Sequence, residues 1–163
     1  MTNEFYKYEL SKEILESLNG LGYKEPTSIQ QKVILPMLAG KNVVVKAPTG
    51  SGKTAAFAIP ICESISWEEN APQALIIEPT RELAVQVSEE MFYIGRKKRL
   101  KVPALFGGFP IDKQIQTLRQ KTHIVTGTPG RIIDHLGRES LKLDMVKWLV
   151  IDEADLMLDM VYR

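Results

Sequence analysis

Two short segments hold residues whose types and spacing suit phosphate chemistry. Residues 47–54 read Ala-Pro-Thr-Gly-Ser-Gly-Lys-Thr, and residues 152–155 read Asp-Glu-Ala-Asp. The first is a glycine-rich turn ending in a lysine and a hydroxyl, a pattern that binds phosphates through backbone N–H groups. The second is a carboxylate cluster, which can hold a divalent cation and orient a water molecule. Together the two segments predict nucleotide hydrolysis.

The phosphate loop departs from the usual G-x-x-x-x-G-K-[ST] pattern only at its first position, where Ala47 stands. Gly50 and Gly52 allow positive φ, which turns consecutive N–H groups toward an anion. Lys53 can reach the β- and γ-phosphates, and the Thr54 hydroxyl can ligate Mg²⁺. The alternative is a Gly/Ser turn that happens to precede a helix. Such a turn would not explain why a lysine and a hydroxyl follow it.

The acidic segment follows the apolar run 148–151, a predicted strand. Parallel α/β sheets bind ligands at the carboxyl ends of their strands. Asp152 is therefore a candidate for Mg²⁺ binding and Glu153 for the general base or water-positioning residue, while the role of Asp155 is less determined. The alternative is that these residues cap a helix through 156–158.

The elements that must position these segments alternate between strand and helix signals. The predicted strands are 42–46, 74–77, 102–106, 123–126 and 148–151. The predicted helices cover 10–18, 27–36, 52–60, 81–94, 111–118 and 131–136, with Pro36 bending or ending the second of them. Because the strands are continuously apolar, we expect a parallel sheet buried on both faces. The pattern predicts one doubly wound α/β domain.

Composition narrows the class of protein further. The 163 residues are 44% hydrophobic and carry 21 basic against 20 acidic side chains, so net charge does not indicate a polyanionic partner. The only cysteine, Cys62, is expected to pack in a helix and favours a reducing compartment. No apolar run is close in length to a membrane span, which needs about 18 residues, and the N-terminus does not resemble a signal peptide. We therefore expect a cytoplasmic location and no membrane partner.

A basic run and two histidines have residue types that suit binding, but neither feature predicts a binding site. The basic run 96–99 follows the predicted helix 81–94, so its charges are expected to complement that helix dipole at a solvated surface. His123 and His135 lack partners at metal-ligand spacing, and no metal site is predicted from them.

Further motifs follow one another in the order typical of a known family. With them, the chain resembles the N-terminal RecA-like domain of DEAD-box RNA helicases. The matching segments are 22–30 (the Q motif, with Phe5 at the upstream aromatic position), 47–54 (motif I), 79–84 (motif Ia), the glycine pair 107–108, 128–131 (motif Ib) and 152–155. An alanine at the first position of motif I is common in this family, whereas Pro48 replaces a more usual glutamine. Segments 74–87 and 95–107 resemble the bacterial DbpA type, whose members act on ribosomal RNA.

The resemblance implies a fold, two cofactors and a partner. The fold is a RecA-like P-loop domain, a parallel sheet with helices on both faces in three α/β/α layers. Residues 1–31 would hold the N-terminal helices and the Q motif, and residues 32–163 the ATP-binding domain. The cofactors are ATP and Mg²⁺, and the partner is RNA, contacted mainly through its backbone. The activity is RNA-stimulated ATP hydrolysis with local unwinding of RNA duplexes.

The resemblance also assigns roles to residues. The catalytic candidates are Lys53, Asp152 and Glu153, with Thr54 and Asp152 as the Mg²⁺ ligands, partly through water. The ATP-binding candidates are Phe5, Lys24, Gln30, Pro48, Thr49, Gly50, Ser51, Gly52, Lys53 and Thr54. The RNA-binding candidates are Pro79, Thr80, Arg81, Gly107, Gly108, Thr128, Pro129, Gly130 and Arg131, and Asp155 is the coupling candidate.

Three of these roles leave alternatives open. The Gln30 amide can donate to and accept from the adenine edge, but without the resemblance the residue is more typical of an exposed helical glutamine. Phe5 would pack against the adenine ring or simply in a core. Arg81 would contact RNA or pair with a carboxylate such as Glu82 or Asp155.

The family pattern continues beyond this sequence, with a Ser-Ala-Thr segment and a second RecA-like domain expected in cis. We therefore expect a gap in the middle of the sheet that exposes backbone groups and apolar surface, and negligible RNA-stimulated ATPase from this chain alone. Two alternative functions remain: a P-loop ATPase with a substrate other than nucleic acid, and an inactive nucleotide- or RNA-binding module.

Overall fold

A computed structural model describes residues 3–48 and 50–161. The chain forms two compact units. Unit 1 comprises Met1–Ile65 and Glu90–Leu100, and unit 2 comprises Ser66–Glu89 and Lys101–Arg163. The predicted boundary between residues 31 and 32 is a division by sequence motif and stays a prediction.

Unit 1 is built from helices, and the first three of them begin at side-chain caps. A 3-10 helix spans Glu4–Tyr8, followed by α1 (Lys12–Gly20), α2 (Ser28–Leu38) and α3 (Lys53–Ser64), with a second 3-10 helix at Arg96–Lys98. The Ser11 hydroxyl accepts from Ile14 N at the start of α1. At the start of α2, Thr27 and Gln30 form a reciprocal capping box, which confirms the predicted start of this helix. The core contains Phe5, Ile14, Leu18, Ile34, Ile59, Ile61, Met91, Ile94 and Leu100, all fully buried.

Two prolines lie inside helices of unit 1. Pro36 was expected to bend or end its helix, yet α2 continues to Leu38. The predicted end of the next helix at Pro60 is wrong, because α3 continues to Ser64. A proline in a helix interior costs about 3 kcal/mol. Ala55 to Cys62 are all buried in α3, and this packing offsets the missing hydrogen bond.

The predicted strand 42–46 is not a strand in the structure. These residues have no regular structure, and the Val44 side chain is fully exposed. β-branched residues favour extended backbone, but a strand also needs a neighbouring backbone to pair with. The sheet of the described residues comprises four strands and does not include this segment.

Unit 2 contains that sheet, with all strands parallel in the order β2-β3-β1-β4. The strands are β1 (Ala74–Ile77), β2 (Ala104–Leu105), β3 (Ile124–Gly127) and β4 (Trp148–Ile151). The helices are α4 (Arg81–Ile94, whose last turn belongs to unit 1), α5 (Ile111–Arg119), α6 (Pro129–Gly137) and α7 (Ala154–Val161). The predictions for β1, β4 and α4 are confirmed to the residue. The others shift at their ends, and β2 is shorter than predicted.

Helices pack on both faces of the sheet, as predicted. On one face, Leu75, Leu105 and Val125 form a cluster with Ile132 of α6 and Leu118 of α5. On the other face, the Thr126 hydroxyl donates to the Ala84 carbonyl of α4 at 2.9 Å.

The prediction that every strand is buried on both faces is wrong for β4. Leu149 and Ile151 are 60% and 57% exposed. β4 pairs with β1 on one side only and forms the edge of the sheet of the described residues, where fewer side chains are available to cover it.

None of the helices in the described part of the chain has the length and apolar character needed to cross a membrane.

Candidate functional site

The phosphate loop in unit 1 has the backbone form that its glycines predict. Gly50 and Gly52 both have φ near +83°, and Ser51 N donates to Pro48 O at 3.3 Å. Gly52 is the N-cap of α3, so Lys53 and Thr54 begin that helix and its N-terminus follows the loop directly. Thr49 lies outside the described residues.

Gly52 is required for a second reason besides its φ angle. A Cβ at this position would lie 2.6 Å from Gln30 Nε2 and 2.9 Å from Thr27 Oγ1. No side chain fits at this distance, so the start of α3 and the start of α2 approach as closely as a glycine permits. The phosphate loop is thereby held against the Q motif.

Gln30 is buried, with 1% of its surface exposed, and the alternative of an exposed helical glutamine is wrong. Its Oε1 accepts from Thr27 N at 2.9 Å, and its Nε2 donates to Gly52 O at 3.1 Å. One side chain therefore joins the capping box of α2 to the N-cap of the helix that follows the phosphate loop.

The other Q-motif candidates lie differently. Phe5 is fully buried, with its ring packed edge-on against Tyr23 and tilted against Tyr8, so contact with an adenine ring requires a shift of these side chains. Lys24 is exposed and lines a groove of about 630 Å³ that includes Tyr23 but neither Phe5 nor Gln30. The adenine-binding roles stay predictions.

Lys98 anchors the far end of α3 and was not predicted as a site residue. Its ammonium donates to the carbonyl oxygens of Cys62, Glu63 and Ile65 at 2.8, 3.0 and 2.7 Å. Burial lowers the pKa of Lys98, with Glu63 acting in the opposite direction. The basic run does complement a helix end, as expected, but this lysine serves α3 rather than α4. Its neighbours in the run, Arg96, Lys97 and Arg99, are exposed.

The residues beside this anchor are also fixed. The Glu63 carboxylate accepts from Ser11 N and Ser11 Oγ at 2.9 and 2.8 Å, which ties α3 to the start of α1. Cys62 is fully buried, and burial raises the pKa of its thiol to about 12. The interpretation of Cys62 as a packing residue is confirmed, because such a thiol is not a nucleophile at neutral pH.

In unit 2, four predicted functional segments meet at one edge of the sheet. The strand register pairs Ile77 with Gly127 and Ile151, and Leu105 with Gly127, so the carboxyl ends are level. Three ladder bonds continue past these ends: Glu78 N to Gly127 O at 2.8 Å, Thr128 N to Leu105 O at 2.9 Å and Asp152 N to Ile77 O at 3.0 Å. The backbone ladder thus places the start of motif Ia, motif Ib and the acidic segment side by side.

The acidic segment has an unusual backbone. Asp152 is buried, and its Oδ1 accepts from Glu153 N at 3.0 Å. Glu153 has φ near +51°, a left-handed conformation that costs a residue other than glycine about 1 kcal/mol or more. Asp155 is exposed in the first turn of α7, so the helix proposed in the capping alternative does form after the cluster. Strain of this kind is often found at functional positions.

The RNA-binding candidates differ in accessibility. Gly107, Gly108, Pro129 and Gly130 are exposed, whereas Pro79 is buried. The Thr80 hydroxyl accepts from Leu83 N at 3.2 Å and caps α4. Thr128 is the N-cap of α6 but makes no side-chain capping bond.

Both arginines among these candidates contact the loop that carries the glycine pair. Arg81 lies with its guanidinium carbon 4.7 Å from the Phe106 ring centroid, and within the described residues no carboxylate pairs with it. The alternative of an ion pair with Glu82 or Asp155 is therefore wrong. Arg131 Nη1 donates to Phe109 O at 2.8 Å and to Gln114 Oε1 at 3.2 Å.

Gln114 and His135 complete this cluster and were not predicted. Gln114 Nε2 donates to Phe106 O at 3.0 Å, and its Oε1 lies 2.8 Å from His135 Nε2. Both are buried polar side chains. Gln114 lies on the helix face that carries Ile111, Ile115 and Leu118, and His135 lies one turn after the buried Ile132. A polar residue within an apolar helical stripe was the signal that could have identified them.

Comparison with known proteins agrees with this geometry. The sequence profile of the DEAD/DEAH box helicases matches residues 27–163. The chain belongs to this family. The matched range includes the phosphate loop, all four segments at the sheet edge and Gln30, whereas Phe5 and Lys24 precede it.

Individual DEAD/DEAH box relatives are similar over nearly the whole chain. The ATP-dependent RNA helicase DbpA of Bacillus subtilis is 57% identical over 158 residues, covering 97% of this chain and 33% of the relative. The DEAD-box ATP-dependent RNA helicase CshA of Geobacillus kaustophilus is 48% identical, with coverages of 96% and 33%. A crystal structure of a DEAD box protein from Methanococcus jannaschii superposes with a TM-score of 0.92 at 45% identity, covering 97% of this chain and 43% of that one. The chain thus spans about a third of the length of these curated relatives, and the match to solved family members confirms the predicted RecA-like fold.

Proposed function

We propose that the protein is an RNA-stimulated ATPase that unwinds RNA duplexes locally. The observation that carries this proposal is the sheet edge of unit 2, where the acidic segment ends one strand and three RNA-binding candidates end the others. The proposal also draws on the phosphate loop of unit 1 and on the relatives named ATP-dependent RNA helicases.

ATP is the proposed nucleotide. The loop amides and Lys53 would stabilise the charge of the phosphates, and Gln30 beside Gly52 would select the adenine edge. Glu153 would orient the attacking water, and Asp155 would couple hydrolysis to RNA binding. Catalysis of phosphoryl transfer rests mainly on positioning and electrostatics, which residues of these types can supply.

Mg²⁺ is the proposed metal, with Thr54 and Asp152 as its protein ligands. The donor set fits, because Mg²⁺ prefers oxygen ligands, keeps several waters and needs only one or two protein groups beside phosphate oxygens. The part of the chain that the structure describes contains no cluster of three or more His, Cys, Asp or Glu side chains that would favour a different metal. When bound, the ion neutralises charge on the transferred phosphate.

RNA is the proposed partner, bound through its backbone. Exposed glycines at 107, 108 and 130 leave backbone amides accessible, and Thr80, Thr128 and Arg131 offer hydroxyls and a guanidinium. Such groups contact phosphates and ribose without reading sequence, and 2′-hydroxyl contacts would favour RNA over DNA. We further propose a second RecA-like domain in cis and, from the single cysteine, a cytoplasmic location.

Titration with a fluorescent ATP analogue tests the nucleotide part. The substitution Lys53→Ala should weaken binding at least about tenfold, since it removes a charged phosphate contact worth roughly 1.5–3 kcal/mol. The matched control Lys41→Ala changes an exposed lysine outside the loop and should bind as the unsubstituted chain does. Equal affinities for all three proteins would contradict the assignment.

Hydrolysis is tested with and without RNA in a longer protein that includes both RecA-like domains. Glu153→Gln should retain nucleotide binding and lose RNA-stimulated hydrolysis. An ATPase rate that RNA does not change would favour an ATPase with another substrate. For the 163-residue chain alone we expect binding but negligible RNA-stimulated turnover.

A further inference from the structure

Gln114 is buried on α5, with 4% of its surface exposed, and both ends of its amide are bonded. The nitrogen donates to Phe106 O, while the oxygen accepts from Arg131 and faces His135 Nε2. Its orientation follows from these partners, because the Phe106 carbonyl can only accept and the Arg131 guanidinium can only donate. The amide therefore cannot rotate by half a turn without losing its bonds.

The bonds of this amide hold the loop that carries the glycine pair. Gln114 binds the carbonyl of Phe106 just before Gly107 and Gly108, and Arg131 binds the carbonyl of Phe109 just after them. The Arg81 guanidinium lies over the Phe106 ring. The two exposed glycines are thus held from both sides, and Gln114 contacts both the loop and the arginine that closes it.

His135 fixes the amide in turn. Since Gln114 Oε1 only accepts, His135 Nε2 must carry the hydrogen, and in the neutral ring Nδ1 then accepts from Ser140 Oγ at 2.7 Å. The His135 ring is fully buried. Such a ring, bonded at both nitrogens, leaves the Gln114 oxygen one position.

We propose that Gln114 is a positioning residue for the RNA-binding surface. Its amide holds loop 106–110 at a fixed place relative to Arg131, and His135 fixes the orientation of the amide. The link to RNA binding rests on the proposed function, whereas the effect of Gln114 on the loop can be measured without RNA.

Two substitutions separate positioning from packing. Gln114→Leu fills a similar volume and removes all three bonds. Gln114→Glu keeps an oxygen toward Arg131 and His135 but turns a second oxygen toward the Phe106 carbonyl, which repels it at the 3.0 Å spacing of the present bond. Glutamate should therefore release the Phe106 carbonyl and its loop while it keeps the contacts with Arg131 and His135. Gln116→Leu, an exposed position on the same helix, is the matched control.

The experiment has three readouts on the whole chain. NMR order parameters of the Gly107 and Gly108 backbone amides report how firmly the loop is held. Anisotropy of a labelled oligouridylate reports RNA affinity, and a fluorescent ATP analogue reports nucleotide affinity. In both Gln114 variants we expect the order parameters to fall and RNA binding to weaken by about tenfold, which corresponds to about one lost hydrogen bond. Nucleotide affinity should not change, because neither Gln114 nor any of its bonded partners is a nucleotide-binding candidate.

Each outcome decides one of the two proposals. Unchanged order parameters of the two glycines in both Gln114 variants, or an equal decrease in Gln116→Leu, would overturn the positioning role. Lower order parameters with unchanged RNA affinity would likewise overturn the link to RNA binding. If the unsubstituted chain binds no oligouridylate, the RNA part of the proposed function fails, and the order parameters alone then decide how the loop is held. Should Gln114→Leu not fold, Gln114→Glu carries the test.

Discussion

The phosphate loop of unit 1 and the sheet edge of unit 2 are positioned in different ways. The loop follows a segment without strand structure, and its described contacts come from Gln30, from a turn at Pro48 and from the close approach at Gly52. The segments of the sheet edge continue a backbone ladder that runs through four parallel strands. A few local groups hold the first site, whereas many equivalent backbone bonds hold the second.

This difference predicts where single substitutions act. A side chain or glycine that alone holds the phosphate loop or α3 should have a large effect on stability. A side chain at the sheet edge should have a smaller effect, because the ladder places the backbone without it. The following predictions test this contrast, beginning with the largest effect.

Gly52→Ala should be the most damaging change. Alanine at φ near +83° is strained, and its Cβ would meet Gln30 Nε2 at 2.6 Å. Strain and clash together should lower the free energy of unfolding by about 3 kcal/mol and weaken nucleotide binding. Gly50→Ala is the control, since φ is the same but no atom lies within 4 Å of the added carbon; it should cost only about 1 kcal/mol. Urea unfolding measures both, and equal losses would show that the contact with Gln30 does not matter.

Lys98→Met should rank second. It removes three hydrogen bonds from a charged group to the carbonyls at the end of α3, which should lower the free energy of unfolding by about 2 kcal/mol. Lys97→Met alters the exposed neighbour and should stay within about 0.5 kcal/mol of the unsubstituted chain. Thermal or urea unfolding compares the two. A similar small change in both would mean that the anchor at α3 contributes nothing.

Thr80→Val tests the sheet edge and should have a smaller effect. It removes the hydroxyl that caps α4, with an expected loss of about 1 kcal/mol. Thr128→Val changes a helix N-cap that makes no side-chain bond, so it should cost less than about 0.5 kcal/mol. If Thr80→Val proved as costly as Gly52→Ala in the same urea titration, the contrast between the two regions would fail.

The sequence predicted best those elements whose cause is local. The apolar runs of β1 and β4 are bounded by polar residues and a proline, and the structure matches both runs to the residue. The positive φ of Gly50 and Gly52 was predicted from the glycine-rich motif that holds them. Residues 42–46 have an equally good strand composition but no strand structure, because pairing depends on a neighbouring backbone that composition does not specify.

Within the sites, motifs predicted the segments but not what holds them. Gln114 contacts residues eight to 21 positions away, and Lys98 contacts carbonyls 33 to 36 positions away. No periodicity or spacing rule relates such residues, since the packing of separate helices brings them together. The bond between Gln30 and Gly52 was not predicted, because it depends on the same close packing of α2 and α3.

The smallest expected effect is the pH dependence contributed by His135. Burial, and then the Arg131 charge, holds the pKa of this histidine below its usual value; Arg138 acts in the same direction and Asp134 in the opposite one. The folded protein therefore takes up this proton at a lower pH than the unfolded chain does. Above the usual pKa near about 6.5 both states are neutral and His135 contributes nothing to the pH dependence.

As the pH falls below that value, the unfolded chain binds the proton first, so the free energy of unfolding decreases. Urea unfolding at stepped pH should show a shallower decrease in His135→Asn than in the unsubstituted chain. Glu90, whose pKa burial raises, contributes with the opposite sign, but it is present in both proteins and cancels in the difference. Identical pH slopes would mean that His135 is not the neutral, buried ring on which the orientation of Gln114 depends.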